Sequence, residues 1–65
     1  MTIVHVYSVP MKTLHVMIKG NEKPVHLLSD KVEENDESGQ LVAYRGGQVI
    51  GRFQMAAIAG WWLAD

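Results

Sequence analysis

Apolar residues recur at every second position along much of this chain, and turn signals interrupt the alternation at intervals too short for helices. Thr2 to Ser8 is rich in β-branched and aromatic residues and predicts a first strand. Pro10, which has no amide proton to give to a ladder, is its expected end. Thr13 to Lys19 alternates again, with Leu14, Val16 and Ile18 on one face and His15 and Met17 on the other. Gly20 and Asn21 both tolerate positive φ, so Lys19 to Glu22 predicts a tight hairpin into a strand around Val25 to Ser29, with Pro24 near its start. Lys31 to Glu34 predicts a short fourth strand, and Asn35 to Gly39 a polar reversal.

The second half of the chain is specified more sharply. Gln40 to Arg45 and Gln48 to Gln54 flank Gly46-Gly47, a pair suited to a type I′ turn. With those glycines as the turn, Tyr44 is expected opposite Val49, Ala43 opposite Ile50 and Val42 opposite Gly51. Val42, Tyr44, Val49 and Phe53 then share a face, and a slip of one residue exchanges the faces. Met55 to Ala59 consists of good helix formers followed by Gly60, which predicts a single helical turn before a last strand at Trp61 to Leu63. The expected fold is all-β, a small partly open barrel or curled antiparallel meander of five to six strands with a short helical turn near residues 55–59. Its order of elements is similar to that of small SH3-like barrels, a likeness of element order alone.

At 65 residues the chain has room for one domain, and a domain of this size buries only about 60% of the surface its unfolded form exposes. It has no cysteine, so neither a disulfide nor a thiolate metal site supplements the thin core. The 48% apolar and 20% charged fractions are those of a globular protein. No apolar run approaches the roughly 20 residues of a membrane-spanning helix, and the N-terminus has no signal-peptide pattern; the expectation is a cytoplasmic protein with no membrane association. Asp30, Glu33, Glu34, Asp36 and Glu37 crowd around the single Lys31, whereas Lys12, Lys19, Lys23, Arg45 and Arg52 leave the remainder mildly basic.

Sequence motifs for catalysis are sparse. His5, His15 and His26 fall one to each of the first three predicted strands, and three converging imidazoles with an open fourth position make a catalytic zinc geometry. No local spacing fixes any pair, so three histidines on a half-exposed sheet face is the simpler reading. The acidic stretch lacks the ligand spacing of a calcium loop and reads as a solvated loop. Gly46 and Gly47 are followed by a strand rather than a helix, so with Gly51 they form no phosphate cradle, and Gly51 reads as a bulge or a close backbone approach. Ser8, Ser29 and Ser38 sit in no nucleophile elbow. The expectation is a protein that is not an enzyme and uses no cofactor.

Trp61-Trp62 is the feature that points to a function. Neighbours on a strand face opposite ways, so a core that takes one indole leaves the other outside. Exposed tryptophan is typical of binding hot spots. The leading expectation is a non-enzymatic interaction module that assembles as a homodimer, or docks a protein partner, through Trp61, Trp62, Tyr44 and Arg52 and an open strand edge. An alternative is single-stranded nucleic-acid binding, with Tyr7, Tyr44, Trp61 or Trp62 stacking bases beside the lysines and arginines, against which stands a pI near 6.2. A histidine-liganded zinc protein is a second alternative.

Overall fold

The computed structural model describes residues 3–64. Five antiparallel strands, β1 (Val4–Ile18), β2 (Val25–Asn35), β3 (Gln40–Arg45), β4 (Gln48–Gln54) and β5 (Ile58–Ala64), form one sheet in the order β4-β3-β2-β1-β5. A 3-10 turn, Met55–Ala57, carries the chain from one end of that order to the other. β4 and β5 do not pair, so this curled meander is not closed. No helix of the described residues is long and apolar enough to cross a membrane.

Two pairs of predicted strands are single strands. The segments before and after Pro10 are both part of β1, and those before and after Asp30 are both part of β2. Thr2, where the first predicted strand begins, lies outside the described residues. Ser8 is opposite Lys31 and Lys12 is opposite Ser29, so three residues of β1 face one of β2. Pro10 sits within that irregular stretch, where its missing amide proton breaks no ladder bond.

The irregularity changes which residues point inward. In β1 the core-facing side chains include Leu14 and Val16, whereas before the bulge Tyr7 is the residue paired with buried Val32. In β2 Leu27 and Ser29 face in before the bend and Val32 after it. Both strands therefore shift their alternation by one at the same level, and the sheet folds over itself there. The fold-over is visible in a contact between strands that are not neighbours: a Cβ placed on Gly51 of β4 lies 2.8 Å from Leu27 Cδ1 of β2. Between the two halves Leu14, Val16, Val32, Leu41, Ala43 and Ile58 make the core, flanked by Leu27, Ile50, Phe53, Trp61 and Leu63. Ser29 is the buried polar residue, and its hydroxyl donates to the Leu27 carbonyl at 3.1 Å.

The turns follow the residues that specify them, with local corrections. Gly46 and Gly47 both take positive φ, 61° and 79°, and Tyr44 stands opposite Val49 as expected. Ile50 is then an extra residue, so Ala43 pairs with Gly51 and Val42 with Arg52. This bulge exchanges the predicted faces beyond it: Phe53 joins Leu41 on the core side, while Val42 stands with Arg52 on the other. Between β1 and β2 the turn is Ile18 to Asn21, closed by Asn21 N–H donating to Ile18 O at 3.0 Å, with Gly20 and not Asn21 at positive φ. The predicted helical turn is shorter than 55–59, because Ile58 is already extended and buries its branched side chain in the core.

The packing assigns different costs to different substitutions. Leu14 is fully enclosed, so Leu14→Ala should cost about 2–5 kcal/mol, much of the roughly 3–10 kcal/mol expected of a domain this long. Gly51→Val should cost about 1–3 kcal/mol by overpacking against Leu27 and Phe53. Urea unfolding of both variants checks these values, and wild-type stability in Gly51→Val would mean that the end of the Leu27 side chain swings aside without cost.

Candidate interaction face

β1 lies between β2 and β5, and the registers align side chains across all three strands. His15 is opposite His26 on one side and Trp62 on the other. Thr13 is likewise between Leu28 and Ala64. These rows lie on the outer face, since the alternate rows, Leu27 with Leu14 and Leu63 and Val25 with Val16 and Trp61, face the core. The two tryptophans therefore diverge as strand geometry requires. Trp61 packs against the core and meets the Tyr7 ring edge-on at 5.2 Å, whereas Trp62 is 46% exposed.

The row His26, His15, Trp62 is a continuous ring stack. Trp62 and His15 are parallel to within 3° with centroids 4.9 Å apart, and His15 meets His26 edge-to-face at 4.6 Å. Leu28, as exposed as Trp62, extends the apolar part of this face.

The other residues predicted at the contact lie elsewhere. Tyr44 and Arg52 are on β3 and β4, toward the far end of the strand order from Trp62. Tyr44 is already occupied: its hydroxyl donates to Glu33 Oε2 at 3.2 Å, and Lys31 Nζ stands 4.2 Å from its ring centroid and 3.4 Å from Glu33 Oε1. Trp61 faces inward, so of the four predicted residues only Trp62 belongs to the ring row. Nor do the three histidines converge. His5 is opposite Glu34, beyond the bulge from His15, and no group of three or more His, Cys, Asp or Glu that could hold a metal ion exists among the described residues.

The acidic stretch is more structural than a solvated loop. Asp30 Oδ2 accepts from Gly46 N–H at 2.9 Å and so anchors the glycine turn. Asn35 Oδ1 accepts from the amides of Glu37 and Ser38, closing the next reversal. Glu34 Oε1 accepts from the Tyr7 hydroxyl at 3.0 Å. The Asp30 and Glu34 contacts join residues 16 and 27 positions apart, and no local pattern in the sequence announces them.

No family model matches the chain, and neither the curated proteins nor the solved structures compared with it give a match.

The Tyr7 contact generates a pH effect. The hydrogen bond to Glu34, with smaller contributions from burial and from the carboxylate charge, holds the Tyr7 phenol above its ordinary pKa of 10.0. The bond stabilises the folded chain fully below the unfolded value, and the benefit is lost as pH rises through the higher folded one. In a Tyr44→Phe background, tyrosinate absorbance should therefore rise with a midpoint above 10.0, and adding Glu34→Gln should bring that midpoint down. An unchanged midpoint would remove the carboxylate as the cause.

Proposed function

We propose that this chain is a small non-enzymatic interaction module that forms a symmetric homodimer by joining the β5 edges of two copies, with Trp62 at the contact. The observation that carries this reading is the make-up of that edge. β5 ends the strand order, yet Ile58 to Ala64 contains no charged residue and no proline. Natural sheets blunt a free edge with those residue types, because unpaired N–H and C=O groups recruit further strands. The edge at β4 follows that rule with the charged Arg52. The β5 edge leaves its backbone groups open beside a half-exposed indole.

Antiparallel pairing of β5 with β5 is self-complementary, as a two-fold interface requires. It extends the sheet across both copies and brings the two outer faces into line. Covering the exposed part of Trp62 contributes about 2–3 kcal/mol per copy. Association itself costs about 4–15 kcal/mol, so backbone pairing across the edge and cover over neighbouring apolar groups must supply the remainder. The dimer should accordingly be of moderate strength, in the micromolar range. Location in the cytoplasm accords with this reading, since the chain needs no disulfide.

Sedimentation equilibrium over micromolar to hundred-micromolar concentrations tests it. The expected result is a monomer–dimer equilibrium weakened about thirtyfold or more by Trp62→Ala, the scale of a tryptophan hot spot. A charge placed on the edge by Ala59→Lys should weaken it similarly, while Arg52→Ala at the opposite edge leaves it unchanged. A wild-type chain that stays monomeric throughout overturns self-association.

A further inference from the structure

We propose that His15 and His26 form a two-imidazole site for a divalent transition-metal ion of the zinc, nickel and copper class. Both donors come from one chain, so the site stands independently of the dimer proposed above. It also differs from a three-histidine zinc centre, because His5 takes no part and the remaining coordination positions belong to water.

The geometry supplies the argument. An imidazole nitrogen sits about 2.0–2.1 Å from a bound zinc, which places the ring centre about 3.2 Å from the ion. Two rings on one ion then have centres about 4.5 Å apart for bonds at a right angle and about 5.2 Å apart for a tetrahedral angle. The observed separation is 4.6 Å, within reach of both. Neither ring makes a hydrogen bond within the described chain, so rotating each about χ2 to aim a nitrogen at a common ion breaks none.

The backbone holds the pair ready. His15 is on a strand paired on both sides, and its neighbours Leu14 and Val16 are fully buried. Its ring lies flat on Trp62, a contact that turning a nitrogen toward the ion gives up, while His26 is open to solvent and gives an ion access. Imidazole donors favour zinc, nickel and copper over magnesium and calcium, which prefer oxygen ligands.

The test is calorimetric titration of zinc chloride into the full chain after treatment with a chelator, with histidine ring signals followed by NMR in parallel. One zinc per chain is expected, with affinity reduced at least tenfold by His15→Ala and by His26→Ala and unchanged by His5→Ala. In the wild-type chain zinc should shift the ring signals of His15 and His26 and leave those of His5 in place, a readout that does not depend on any variant folding. Trp62→Ala, expected to weaken the dimer about thirtyfold, should still bind zinc, separating the two proposals. Magnesium chloride should give no shift. Absence of zinc-dependent shifts at millimolar zinc, or full affinity in His15→Ala, overturns the site.

Discussion

Everything in this fold depends on β1 and β2 bending together. Each strand is long enough to belong to both halves of the sheet, and each changes its inward-facing set by one residue at the same level. Without that shared shift, either Leu14 and Leu27 or Val32 and its neighbours would face solvent, and a 65-residue chain has no second layer to cover them. The bulge lets one sheet act as both walls of its own core. Pro10 is compatible with the bend because its stretch of β1 needs no donor there.

The acidic residues of β2 reinforce the same arrangement by polar means. Asp30 holds the β3–β4 turn, Glu33 and Lys31 engage Tyr44, and Glu34 holds Tyr7. β1 and β3, the two ladder neighbours of β2, and the β3–β4 turn are thus tied to β2 by side chains. Charges that balance poorly along the sequence find specific donors once the strands are assembled. The outer surface near Trp62 lacks such a network and carries stacked rings instead, which is why the two ends of the sheet differ in character.

Period-two alternation and paired glycines were sufficient to read an all-β meander, the Gly46-Gly47 hairpin and the divergence of Trp61 from Trp62, because each rests on local backbone geometry. The bulges were legible only as local hints. Gly51 reads as a bulge or a close backbone approach, and it lies beside the extra residue Ile50 and close to Leu27. Pro10 reads as a strand end, whereas it lies in the irregular stretch of one continuous β1. The candidate site was legible in part for the same reason. Exposure of one indole follows from alternation, whereas the alignment of His26, His15 and Trp62 depends on a register between strands distant in sequence. Tyr44 and Arg52 were grouped with the tryptophans by residue type, and strand order separates them.

Pairing of β5 with β1 joins the two ends of the chain. Leu63, Trp61 and Ile58 of β5 cover Leu14 and Val16 of β1, which lie far from them in sequence. The hairpin at Gly46-Gly47 forms from local contacts, but the core cannot be sealed until β5 reaches β1. Sealing the core therefore requires closing a long loop, from Ile18 to Ile58 at its shortest, and non-local pairing of that kind slows folding.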